Sequence, residues 1–582
     1  MLPEKAKLGR WASVRGRISE VDHAFGDPWS PDNPLGFDGV LAAAGTGMPA
    51  PAALDRYDGL ALNAEFVPAE LGGRLDGLDV TGAVFRPVMR RDARLAAVGG
   101  ISSLLAAFVV WAGGNASQRL RTSEVLLGGA RLAIACHQLE HANIFFEEEF
   151  RARRSGSGYL LSGRKPAINN LDHAELILAY AATGDGDGPQ TPQESHSLFL
   201  LDRAELPDAW VRRLTKGPAG SGQPPLTGLE LLDCPVPGEA RVGGWGQGVV
   251  VGASAYPLIN ATVASMLIGL GDTALRATLR FRTHGPAPAG RRINERQVRT
   301  VVNGAFADLL TADCLALVAT RALHLLPGEC DVLAAAAKYL VPKLLSESMY
   351  SLSVVLGGAF HTEEGPSTLV RKHLRDLDTV SFGHVGSAVC QTVIVPYLPL
   401  LAADAEALEA ARPPAGLFRP GDGVPGLSLD RPAHFGGADG LWGYVSRALA
   451  EDSVGAGTEL AGAFRPYAVQ LAEEMRDALR EFATLGPVGG GAVPDARGFP
   501  LSERYALVLA AAACVGVWRE SGGSGFLADP AWLLSALDRI LRRLGRPVPP
   551  LPAEVEARLF AEARLRADSR IGFDLYGAEL AG

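Results

Sequence analysis

The feature that most constrains this chain is a change of sequence grammar near residue 131 and its reversal near residue 248. Between them, Tyr159-Leu-Leu, Leu176-Ile-Leu-Ala-Tyr and Ser197-Leu-Phe-Leu-Leu are short apolar runs bounded by Gly, Pro, Asp and Ser clusters. Such runs predict strands of an antiparallel sheet or barrel. On either side the spacing is helical. Phe306, Leu309, Leu310, Cys314 and Leu317 mark one helix face. A second helix is predicted from Asp331 to Leu356, capped at Gly357-Gly358 and kinked or broken at Pro342. Asp529-Pro530 is an N-cap followed by proline at the first helical position. The order helices, small β unit, helices is α+β with segregated layers, not a repeating βαβ chain.

At 582 residues the chain is too long for one core. The spacing divides it into an N-terminal α domain (1–130, mainly helical after a loop-rich start), a middle antiparallel β domain (131–248) and an α-helical bundle domain (249–405). A linker (411–437) and an extra helical C-terminal domain (438–582) follow. Residues 411–437 are read as a linker on composition alone, being dense in Gly and Pro.

Charged residues make up 20% of the chain and hydrophobic residues 47%, which excludes a mostly disordered protein. The net charge of −9 gives no basis for general nucleic-acid binding, which rests on neutralising phosphates. None of the six cysteines forms a CxxC pair, so no metal site is expected from them and a reducing, cytoplasmic setting is. The N-terminal residues hold no apolar block of signal-peptide length. Leu95–Gln118, Val242–Gly271 and Val385–Ala403 carry no charge, yet each is broken by Gly, Ser, Asn, Gln or Pro. They are expected to be buried helices rather than membrane spans. The motifs GxGxxG after a strand, GxxxxGK[ST] and HExxH do not occur.

Four further pieces, in order, resemble the acyl-CoA dehydrogenase family of flavoproteins over about residues 60–400. Val67-Pro-Ala-Glu-Leu-Gly-Gly73 is similar to the family's VPxExGG loop. Gly158-Tyr-Leu-Leu-Ser-Gly-Arg-Lys-Pro-Ala-Ile-Asn-Asn170 resembles its GY.LNG.K.WITN strand pair. Leu229 to Gly248 resembles the end of its β domain, and Leu356-Gly-Gly-Ala-Phe360 with Glu364-Gly-Pro366 and Arg375-Asp376 its bundle series. The resemblance implies a helical domain, a β domain and a four-helix bundle, with FAD between the last two and completed by a second subunit. It also implies α,β-dehydrogenation of an acyl thioester: a base takes the α-proton while hydride leaves the β-carbon for the flavin.

By that resemblance the catalytic slot, a glutamate in most members, falls on His384, and an imidazole can serve as base. The alternative slot on the first bundle helix falls near Ile259-Asn260, where there is no carboxylate. The family's TEPxxGSD loop becomes Cys136-His-Gln-Leu-Glu-His-Ala-Asn143, which places Cys136, His141 and Ala142 at the flavin. The family's tryptophan and threonine become Ala167 and Asn169, so a stacking surface is lost and a polar group kept. Arg282, His284 and Gln297 fall where the family holds the diphosphate of the neighbouring subunit's FAD. Gly357, Gly358 and Ser387 complete the implied cofactor set. Val354 replaces the family glutamine before Gly-Gly.

Residues 411–582 are similar in length and helical reading to the extension of the very-long-chain members, where a homodimer replaces a tetramer. Arg539, Arg542, Arg543 and Arg546 form a basic cluster there, expected to be a solvated helix face, with a membrane or acidic carrier surface as the alternative. The implied partners are an acyl-CoA or acyl-carrier-protein substrate, an electron-transfer partner or oxygen, and a second copy or related subunit. Three functions stay open: an acyl-thioester dehydrogenase, a flavin monooxygenase of the same fold, and a non-catalytic partner subunit.

Overall fold

A computed structural model describes residues 4–136, 148–183, 195–206, 208–216, 226–284, 295–362, 365–382, 387–403, 412–428, 440–450, 460–486, 495–523 and 525–582. The helical spacing read around Phe306 belongs to Glu295–Leu325, which packs between Gly248–His284 and Cys330–Leu356. The first of these has 37 residues, about 55 Å at 1.5 Å per residue. Short connections make sequence-adjacent helices antiparallel. These helices are apolar on most sides, and a helix of that kind is stable only when surrounded. The helices Ala93–Gly113, Gly248–Thr283, Glu295–Leu325 and Gly498–Arg519 are long and apolar enough to cross a membrane. Here 83–100% of that apolar length is packed inside the protein. Cys330–Leu356 runs through Pro342 without a break. One lost backbone bond and a ring clash cost about 3 kcal/mol, less than burying both flanks of the helix returns.

The middle segment forms β1 (Arg131–Ala135), β2 (Phe150–Ser155), β3 (Gly158–Lys165), β4 (Ala174–Ala182), β5 (His196–Asp202), β6 (Val211–Lys216), β7 (Leu226–Val236) and β8 (Arg241–Val242). The sheet order is β6-β7-β3-β2-β4-β5-β8, with β1 against β4. Most pairings are antiparallel as expected, but β1 and β2 each pair with β4 in parallel. Side chains alternate across a strand. Thus Ile134, Leu178, Tyr180 and Leu198 join the helical core, and Ala135, Ile177, Ala179 and Phe199 join a separate core within the β unit. Burial on both faces is why these strands read as continuous apolar runs.

Three expectations change. The chain opens on a helix, Glu4–Ala24, not a loop. The described part of the expected linker, 412–428, is a packed strap: Leu417 and Phe418 are buried, and Arg321 donates to Gly416 O and Asp422 O. The basic cluster is ion-paired inward. Arg539 and Arg543 clasp the buried Asp308, Arg546 meets Glu474 and Asp477, and Arg542 meets Asp538. Beyond helix Ala553–Asp568 the chain returns to the bundle. Phe573 N donates to Asp272 and Leu575 N to Asp313, each at 2.7 Å. Asp574 sits between Arg86 and Arg90.

Lys338 is buried in Cys330–Leu356. Burial lowers its pKa to about 8, against a smaller opposing pull from Cys390. The unfolded chain holds that proton up to about pH 10.4, so stability should rise with pH from about 8 to 10 and carry the full charging cost below 8. Lys338→Met is expected to raise stability at pH 7 by about 3 kcal/mol and to flatten that rise, as read by thermal unfolding across pH.

Candidate functional site at the joint of sheet and bundle

Two expected site residues meet at one rim of the sheet. β1 ends at Ala135, and Ile134 bridges to Asn169 in the segment after β3. Cys136 lies two residues beyond Ile134 on this same edge. Cys136 is half-buried and Asn169 exposed, while Ala167 is buried. Beneath the rim, Lys165 Nζ lies 2.6 Å from Glu148 Oε1, and neither side chain reaches solvent. Glu148 also accepts the Phe150 amide at 3.0 Å, and Lys165 lies over the Phe150 ring. An unpaired charge would be very costly there, so each charge holds the other in place.

The Gly248–His284 helix closes the other side. A Cβ on Gly252 would stand 2.6 Å from the Tyr180 hydroxyl, so glycine is what lets this helix approach β4. Tyr180 and Tyr256 are hydrogen-bonded to each other, and burial raises both phenols above their ordinary range. Burial likewise pushes the Cys136 thiol up to about 12, with Lys165 pulling it down and Glu148 pushing it up. A thiol held protonated is a poor nucleophile, so Cys136 contributes a neutral, polarisable wall. His196 is lowered to about 4 by burial and by Lys165, and stays neutral. Asn260 follows Tyr256 by four residues and shares its helix face. Its Oδ1 is buried and has no hydrogen-bond partner. It stands near the position where the resemblance puts the alternative base, and an amide cannot serve as one.

Other expected residues lie elsewhere. His141, Ala142 and His384 fall outside the described residues. His284 ends its helix and Ser387 begins Ser387–Ile394. Gly271 lies against Leu309 and Leu345, so the three bundle helices are level there. Counting about a dozen residues onward or back puts Arg282, Gln297 and Gly357 together at the far end of the bundle. Arg282 is 26 residues beyond Tyr256, about 39 Å along the axis. Any flavin held by Arg282 would thus be seated on another copy. Gln297 is exposed, and Gly357 and Gly358 are exposed with open space where a Cβ would go. Glu148, Lys165, Tyr180 and Tyr256 are additions that motif matching alone did not yield.

No protein-family model matches the chain. The probable acyl-CoA dehydrogenase FadE25 of Mycobacterium tuberculosis is 23% identical over 320 residues, 54% of this chain and 78% of that protein. Mitochondrial isovaleryl-CoA dehydrogenase of Pongo abelii is 25% identical over 202 residues, 34% of this chain and 45% of that protein. Among solved structures, an acyl-CoA dehydrogenase of Bacillus anthracis complexed with FAD superimposes with a TM-score of 0.64. It covers 96% of this chain and 95% of its own at 15% identity. Butyryl-CoA dehydrogenase of Megasphaera elsdenii gives 0.56, covering 66% and 97% at 17% identity.

Proposed function

We propose that this chain, which carries the acyl-CoA dehydrogenase fold along nearly its whole length, is a flavin-dependent oxidoreductase of acyl-CoA dehydrogenase type that removes the α- and β-hydrogens of an acyl thioester on CoA or a carrier protein. One observation carries the reading. The joint between the sheet rim and the Gly248–His284 helix is lined by neutral donors and ends on a buried amide oxygen without a partner. That donor set suits FAD: neutral thiol and phenol hydrogens face a ring rich in acceptors, and the Asn260 oxygen suits the ring's imide N–H. Bound there, FAD supplies a hydride acceptor. Cys136, Asn169 and Asn260 would hold it. Tyr180 and Tyr256 exclude water, and the Glu148–Lys165 pair fixes the rim.

The base is assigned to His384 on the sequence resemblance. An imidazole takes a proton only when neutral, so reduction by thioester should slow in acid. His384→Gln is expected to slow bleaching of the flavin by an acyl thioester at least 100-fold with the flavin still bound, measured by stopped-flow absorbance. An unchanged rate removes His384 from the chemistry.

Asn260 near the alternative base slot and Ala167 in place of the stacking tryptophan favour a second reading. In it the flavin activates oxygen, or the chain serves as a partner to an active homologue. Oxygen uptake by the reduced protein without thioester supports the first form, and co-purification with a related chain the second.

A further inference from the structure

The outer face of the sheet carries a basic patch that the joint does not use. Side chains alternate across a strand, so one face of β2, β3, β7 and β6 follows from the register. Arg151 and Arg153 of β2 stand opposite Ser162 and Leu160 of β3. Arg164 of β3 stands opposite Glu230 of β7, and Glu230 opposite Arg212 of β6. All four arginines are exposed. The carboxylates paired with them are Glu230, 2.8 Å from Arg212, and Asp233, 3.5 Å from Arg153. Among the described residues no carboxylate pairs with Arg151 or Arg164, which are diagonal neighbours across β2 and β3. The chain as a whole carries −9, so this face is opposite in sign to the rest of the molecule. Trp210, just before β6, and Leu232 of β7 are 43% and 42% exposed. Continuing the β6–β7 register sets them opposite one another on this same face. An exposed tryptophan and leucine ringed by arginines have the composition of a protein interface.

We infer that this face docks an acidic carrier protein that presents the acyl thioester on a flexible arm. The inference rests on the thioester reading above and selects the handle of that substrate. Charge complementarity calls for an acidic partner surface, with Trp210 and Leu232 as the apolar anchors. A second copy of this chain fits poorly, because a two-fold contact sets a patch against itself, here arginines against arginines. Position favours a carrier. Beyond Arg164, β3 runs into the rim of the joint, and Asn169 is five residues on, at most about 17 Å of chain. A pantetheine arm reaches across such a span from a docked protein, whereas a CoA thioester diffuses in and needs no docking face. The C-terminal arginines that the sequence offers for an acidic carrier are ion-paired inward, and the sheet offers exposed ones instead.

The test is calorimetric titration of the full-length protein with an acyl carrier protein bearing a non-hydrolysable acyl group on its phosphopantetheine, with poly-glutamate as the control polyanion. The expected result is saturable binding of one carrier per chain, at least tenfold tighter than poly-glutamate, that weakens with salt. Arg151→Glu combined with Arg164→Glu should weaken the carrier at least tenfold, and Trp210→Ala by a similar factor. Both variants should keep the parent's circular dichroism and flavin content. Absence of carrier binding overturns the inference, as does binding no tighter than poly-glutamate or indifferent to both variants. A dimer in solution that Trp210→Ala splits also overturns it, because the face then meets a second copy. So does an acidic flavodoxin whose binding the variants abolish while carrier binding persists, because the face then serves electron transfer. Carrier binding is read without flavin chemistry. A colourless protein that binds the carrier removes the oxidoreductase reading alone, and a protein bleached by acyl-CoA that binds no carrier removes this inference alone.

Discussion

Arg86→Ala should be among the most damaging single substitutions in this chain. Arg86 is buried and forks onto Asp313 at 2.6 and 3.1 Å, reaches Asp574 at 3.2 Å, and donates to Ser265 O and Oγ. Its removal leaves two buried carboxylates facing one another with only Arg90 close to Asp574. Breaking a buried pair in this way costs about 3–5 kcal/mol. The loss should appear first where this cluster grips the chain, in the return segment after Asp568. Limited proteolysis should cut there at low protease, and the melting temperature should fall by several degrees. Arg86→Lys keeps the charge but not the fork and should fall between. A cost below 1 kcal/mol with the tail still protected would show that the cluster does not clasp the tail.

Lys165→Ala should cost as much by the same physics and should also empty the joint. Glu148 would be left fully buried without its cation, again about 3–5 kcal/mol. The change lies under Cys136 and Asn169, so the flavin content of the purified protein should drop together with stability. The double variant Glu148→Leu with Lys165→Met replaces the pair by apolar groups of similar size and should recover most of the stability. Calorimetric unfolding and flavin-to-protein absorbance ratios test both statements. A Lys165→Ala protein as stable and as yellow as the parent would refute them.

The strands β4 and β5 were legible because burial on both faces leaves apolar runs between turn residues, and β3 because its Tyr159-Leu-Leu run is bounded by turn residues. The parallel pairing of β1 with β4 was not, since alternation says which face a residue takes and nothing about its neighbour. Pairing across hundreds of residues was equally invisible. The spacing of Arg539, Arg542, Arg543 and Arg546 describes a basic helix face, and only the fold shows Asp308 buried beneath it. Glu4–Ala24 hides its helicity: among its described side chains Val14, Ile18 and Val21 are the buried apolar ones, joined by Asp22 and by Phe25 just past its end, in a strongly polar segment. Gly and Pro density described the backbone of 412–428 correctly as irregular, but Leu417 and Phe418 anchor it to the bundle.

In the site, Cys136 and Asn169 were reachable through motif order, and the structure sets them on one rim. Tyr256 and Asn260 had a weaker signal: two polar groups four apart in the uncharged first part of their helix. Lys165 closing an apolar strand was another, since a lysine in such a run needs a buried acid. Its partner Glu148 lies among three consecutive glutamates, Glu147 to Glu149, and spacing alone does not single it out.

The most direct test of the central proposal is the visible absorption spectrum of the purified full-length protein, before and after adding an acyl thioester without oxygen. The proposal predicts the two flavin bands, about one FAD per chain, and bleaching of the longer-wavelength band by the thioester. A colourless protein that takes up no added FAD would contradict it.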